Sequence, residues 1–229
     1  MKKKTLTIAI ALVLVVALAV GATYAYLTAT TGEVKNTFAV GNVIDNTKFA
    51  LQEHKVAYND TKGVYDYVLT EAGEKQVATS NTYDKLVPGT TAPKDPFITI
   101  GEKTQAPAYL FVKVTDTSVG ITYSVDADKW AEVSGINGLK AGEKVYVYKV
   151  GSDNVLPAGS EGNYAILTNN QISVGSNVST ISGDLVFNGY LCQAAGFKSA
   201  TEAFNQCFGT TTGAVSYTHL RAHETSAHL

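Results

Sequence analysis

Ala108-Tyr109-Leu110-Phe111-Val112-Lys113-Val114-Thr115 puts Leu110, Val112 and Val114 on one side of an extended chain and Tyr109, Phe111 and Lys113 on the other. Successive side chains of a strand point to opposite faces, so this spacing predicts a sheet strand and not a helix. Pro107 precedes it, at a strand start, where a missing N–H costs no ladder bond.

Working outward, the same reading predicts strands over 97–100, after Pro93 and Pro96, and over 120–125, 130–133, 144–150, 164–167, 171–174 and 183–192. In the last of these Leu185, Phe187 and Leu191 share a face, and Gly138 with Ala141-Gly142 supplies a turn before 144–150. Upstream, 33–43 and 48–56 carry half-buried extended patterns joined by a turn at Asp45-Asn46, with Phe49 and Leu51 on one side of the second. Residues 57–94 are rich in Asn, Asp, Thr, Gly and Lys and are expected as an insertion or long excursion with one hairpin at most. Eight or so short strands between turn signals imply an all-β sandwich, here a single domain over 26–214. One short C-terminal helix is expected, because Ser199-Ala200-Thr201-Glu202 has capping-box spacing ahead of Ala203, Phe204 and Cys207.

The 229 residues include 13 Tyr and 8 Phe, ample bulky side chains for a core. Of 18 basic and 20 acidic residues, Lys2, Lys3, Lys4, Arg221 and Glu224 fall in terminal segments, which leaves 14 Lys against 19 Asp plus Glu. A mildly acidic domain with no lysine cluster lacks the footprint that phosphate neutralisation needs, so nucleic acid is not an expected partner.

Met1 to Lys4 followed by the apolar run Leu6 to Val20 and the small residues around Ala22 has the form of a signal peptide, an export helix over residues 1–25. Thr23 and Ala25 fit the −3 and −1 pockets of a signal peptidase, so cleavage is expected after Ala25, with Tyr26 as the new N-terminus. The other reading of this run is an uncleaved membrane anchor.

The other end differs in composition. Arg221 is the only arginine, and His219, His223 and His228 are three of the four histidines. Val215-Ser216-Tyr217-Thr218-His219-Leu220-Arg221-Ala222-His223-Glu224-Thr225 resembles a translated sequencing adapter, and residues 215–229 are read as a non-native, unstructured tail that replaces the true C-terminus. The competing reading, a metal site at His219, His223 and Glu224, lacks a zincin order.

Cys192 and Cys207 form an even pair in an exported chain, which favours a structural disulfide; two free buried thiols are the alternative. Asp126-Ala127-Asp128 lacks the remaining ligands of a calcium loop and is expected to be a solvated turn. His54, the only histidine before the tail, is expected to face solvent. With no nucleophile motif, P-loop, dinucleotide glycines or zinc spacing, the sequence points to no catalytic residue, metal or cofactor, and an enzyme is not expected.

Three stretches together resemble the TasA and camelysin family of exported proteins. They are Gly21-Ala22-Thr23-Tyr24-Ala25-Tyr26-Leu27-Thr28 with Asn36-Thr37-Phe38-Ala39-Val40-Gly41-Asn42-Val43; Val87-Pro88-Gly89 with Ala106-Pro107-Ala108-Tyr109-Leu110-Phe111-Val112-Lys113-Val114; and Phe187-Asn188-Gly189-Tyr190-Leu191-Cys192-Gln193-Ala194-Ala195-Gly196-Phe197. Cys192 and Cys207 depart from that family's pattern, and 57–94 matches none of it. The resemblance implies an immunoglobulin-like or jelly-roll β-sandwich, secreted to the cell surface or a biofilm matrix, that polymerises with itself into fibres. Its partners are further copies, other matrix components and, during export, the signal peptidase. In that scheme a mature N-terminal strand from one subunit completes the sheet of the next, with Phe38, Val40 and Val43 filling grooves. The alternative function is a monomeric surface adhesin or ligand-binding module on the same sandwich.

Overall fold

The computed structural model describes residues 43–209 and, as backbone, the segment 225–228. These residues form an all-β sandwich with one short C-terminal helix. The strands are β1 (Phe49–His54), β2 (Val56–Asn59), β3 (Val64–Tyr67), β4 (Val77–Ala78), β5 (Asn81–Thr82), β6 (Thr91–Pro93), β7 (Phe97–Ile100) and β8 (Ala108–Asp116). They continue with β9 (Ile121–Thr122), β10 (Trp130–Glu132), β11 (Glu143–Tyr148), β12 (Gly162–Ala165), β13 (Gln171–Val174), β14 (Asp184–Gln193) and β15 (Thr225–His228); helix α1 is Ala200–Cys207.

One layer has the order β12-β7-β1-β4, and the other β10-β11-β8-β14-β15-β5. A three-stranded sheet, β6-β13-β9, and the hairpin β2-β3 complete the described sheets. Between the two layers Phe49, Leu51, Ile98 and Ile100 meet Leu110, Val112, Val114, Leu185, Phe187 and Leu191. Apolar area withdrawn from water here is the main force holding the layers together. The layers approach so closely at Gly189 that a Cβ there would lie 3.1 Å from Ile98.

The opposite face of β8 and β14 is buried as well. Tyr109, Phe111, Tyr190 and Cys192 pack against Phe204 of α1, with Phe208 beside them. The helix starts where Ser199 Oγ accepts the Glu202 N–H at 3.2 Å, and its last turn carries the Cys207 that is joined to Cys192. Two glycines fix how neighbouring strands leave the end of β8. Gly142 (φ +81°) and Gly183 (φ +88°) take left-handed conformations, and a side chain at either would collide with the carbonyl of Asp116 or Thr117.

Residues 57–94 are not a separate excursion. They supply strands to all four described sheets, and Tyr65, Tyr83, Ala92 and Lys94 reach the interior. Polar composition hid this because the strands are only two to four residues long and the buried positions, Tyr65, Asn81, Tyr83, Ala92 and Lys94, are isolated from one another in sequence. Among the described residues no helix is long and apolar enough to cross a membrane.

Candidate functional site

Strand β14 pairs along its full length with β8, from Leu185 opposite Asp116 to Gln193 opposite Ala108. Its other edge is taken over the first four residues by β15, from Asp184 opposite His228 to Phe187 opposite Thr225. Strand β15 in turn lies parallel to β5, with Ala227 opposite Asn81 and His228 opposite Thr82. Thus β5 joins the six-stranded sheet only through β15, and one extended segment fills a slot between β14 and β5. This corrects the expectation of an unstructured tail over 215–229, since Thr225–His228 is a strand. The physical reason is that a row of unpaired backbone N–H and C=O groups accepts any extended segment free of proline, whatever its side chains.

The residues that wall this slot reach a polar cluster in the core. The alternation of β1 carries Phe49 and Leu51 inward and then does the same to Glu53. Glu53 Oε2 accepts from Lys94 Nζ at 2.6 Å, and both side chains are wholly buried. Phe187, on the β14 wall, lies 5.8 Å from the Lys94 ammonium. Asn81, on the β5 wall, bridges the break between β1 and β2: its Oδ1 accepts the Val56 N–H at 2.8 Å and its Nδ2 donates to the His54 carbonyl at 2.9 Å. Its carboxamide also stands beside the Glu53 carboxyl and favours the charged form, without closing a well-formed bond, so Glu53 Oε1 has no partner. Burial pushes the Glu53 carboxyl up and the Lys94 ammonium down, and their mutual attraction opposes both shifts.

The Asp95 carboxylate acts on both members of this pair. Asp95 Oδ1 accepts the His54 N–H at 2.9 Å, and its Oδ2 lies 2.7 Å from His54 Nδ1 and 3.7 Å from Lys75 Nζ. His54 is therefore not turned to solvent as its sequence neighbours suggest; it packs 5.1 Å from the Phe97 ring and edge-on to Tyr67. Burial first, and the nearby Asp95 and Glu53 carboxylates second, hold the Tyr67 and Tyr83 phenols far above their ordinary range. Both rings stay neutral, and Tyr83 donates to the Pro93 carbonyl at 2.6 Å.

Of the residues singled out in sequence, Thr23, Ala25, Tyr26, Phe38 and Val40 lie outside the described residues. Val43 does not reach toward a neighbouring subunit. It is buried in its own core, where its carbonyl accepts the Gln105 N–H at 2.9 Å. The apolar Ile44 beside it is fully buried and anchors the chain at this point. Cys192 and Cys207 are joined as a disulfide. Asp126 holds the turn it belongs to, accepting the Asp128 N–H at 3.1 Å and pairing with Lys129 at 2.8 Å. Glu53, Lys94 and Asn81 were not anticipated. For Glu53 the signal was present in the inward positions 49, 51 and 53; for Lys94 and Asn81, lone polar residues in a polar segment, there was none.

No protein-family model and no curated protein matches this chain. A chain in the crystal structure of the CaDoc0917–CaCohA2 complex is similar at 13% identity, covering 50% of this chain and 82% of that one, with a TM-score of 0.28.

Proposed function

We propose that this protein is an exported structural subunit of the cell surface or extracellular matrix that polymerises by strand addition. The leading segment of one mature copy, residues 26–42, enters the slot between β14 and β5 of the next. The observation that carries this reading is the slot itself. Without β15, the β14 edge over Asp184–Phe187 and the β5 edge over Asn81–Thr82 face each other across a gap one strand wide, about 10 Å at ordinary strand spacing. Main-chain hydrogen bonds supply the affinity of such an addition, and side chains such as Phe38 and Val40 supply its fit. Val43 takes no part, because it is committed to its own subunit's core. Where Thr225–His228 pairs in the slot it competes with the donor, so its presence is expected to reduce polymerisation.

The experiment compares three proteins, 26–229, 26–214 and 43–214, by electron microscopy and light scattering, each first checked for cooperative melting. Fibres are expected from 26–214, fewer from 26–229 and none from 43–214. A 26–214 protein that stays monomeric at high concentration, or a 43–214 protein that polymerises equally well, would overturn the proposal.

A further inference from the structure

Lys94, Glu53 and Asn81 come from three separate strands or strand ends and meet at one carboxyl group inside the core. An amine and a carboxamide thus stand at the two oxygens of one proton carrier. The amine of Lys94 is 2.6 Å from Glu53 Oε2 and has no access to water. The Asn81 carbonyl oxygen is already held by the Val56 N–H at 2.8 Å, a backbone donor of the kind that stabilises negative charge developing on that oxygen. The second Glu53 oxygen is unpartnered and stands beside the Asn81 carboxamide.

We propose that Lys94 and Asn81 become joined by an intramolecular amide bond between Lys94 Nζ and Asn81 Cγ, with Glu53 carrying the proton. The proton of the Lys94–Glu53 pair moves to the carboxylate, leaving a neutral amine beside a carboxylic acid. The Nζ lone pair attacks Cγ, and the Val56 N–H holds the oxygen as it gains charge. Glu53 passes its proton to Nδ2, the Cγ–Nδ2 bond breaks, and ammonia leaves. Glu53 then takes the proton that Nζ sheds and ends as the neutral acid. One C–N bond forms and one breaks, with no oxidant, metal or cofactor. The apolar surroundings favour the neutral amine and acid over the ion pair, because burial lowers the Lys94 ammonium and raises the Glu53 carboxyl. The bond ties β5, which otherwise reaches the main sheet only through β15, to the end of β6. It makes one wall of the slot covalent, and it forms whether or not the protein polymerises.

The test is the intact mass of the purified, fully reduced chain, with its termini fixed by fragment masses, followed by peptide mapping after trypsin. The expected mass is one ammonia below that of the sequence, with a branched peptide joining the fragments that hold Asn81 and Lys94 and no cleavage after Lys94. Glu53→Gln and Lys94→Arg are expected to restore the full mass and the linear peptides. A full-mass native chain overturns the proposal without recourse to any variant. So does an ammonia deficit that maps to an imide at Asn137-Gly138 or Asn188-Gly189 while Lys94 remains cleavable.

Discussion

On one face of β8 and β14, Leu110, Val112, Val114, Leu185, Phe187 and Leu191 meet the facing sheet, whose β1 strand sends in Glu53 after Phe49 and Leu51. On the other face, Tyr109, Phe111, Tyr190 and Cys192 meet α1, where Phe111 and Tyr190 both stand edge-on to Phe204, 5.2 and 5.4 Å away. The helix face is closed by aromatic packing and a disulfide, neither of which needs a charge to be matched. The sheet face includes the buried Lys94 and Glu53 side chains, expensive to bury and tolerable only together. The two faces therefore accept different substitutions: volume governs one, and partner identity governs part of the other.

The largest effect is expected from removing one member of the pair. Lys94→Met leaves the buried Glu53 carboxyl without its partner and is expected to destabilise the protein by about 3–5 kcal/mol in urea denaturation. Changing Glu53→Leu together with Lys94→Met removes the stranded carboxyl and is expected to recover the part of that loss that comes from its burial without a partner. If the single change costs no more than a surface substitution, the sheet face is held by volume alone and the contrast fails.

On the helix face the largest single lever is covalent. The bond between Cys192 and Cys207 closes a loop of 15 residues, and replacing both by Ser is expected to cost about 3 kcal/mol on the chain-entropy model. The loss should appear first at α1, because the six-stranded sheet keeps every strand pairing. Hydrogen exchange resolved by fragment checks this: rapid exchange at 200–208 with slow exchange retained over 108–116 supports the division of labour, and uniform acceleration contradicts it.

The contrast also explains what could be read from the sequence. Strands β8 and β14 were legible because nine- and ten-residue segments with apolar residues on both faces leave little but a buried strand. The cap of α1 was legible from Ser199 and Glu202 alone. The strands β4 and β5 were not, since two residues carry no period and their pairing is fixed by a long-range neighbour. Val43 misled because an apolar residue at the end of an extended segment looks the same whether its own core or another molecule receives it. The burial of Lys94 was not legible because a lysine in a polar stretch is almost always solvated, and only the inward turn of Glu53 makes its burial tolerable.

The smallest effect expected on the helix face is the most local. Helix α1 has eight residues, too few to persist in water without tertiary support, so its start depends on capping and its position on Phe204. Ser199 Oγ accepts the Glu202 N–H, and Glu202 Oε2 accepts the Lys198 N–H at 2.8 Å, so the two residues satisfy donors on either side of the cap. Ser199→Ala removes one acceptor and is expected to cost about 1 kcal/mol. While Cys207 tethers the far end to β14, that cost should appear as fraying of the first turn, with Phe204 still seated against Phe111. Without the disulfide, the same substitution should cost more, because fraying can spread through the whole helix. A double-mutant cycle between Ser199→Ala and the paired Cys-to-Ser change measures the coupling. Strict additivity would mean that the cap and the disulfide stabilise separate units, and that α1 does not dock as one body.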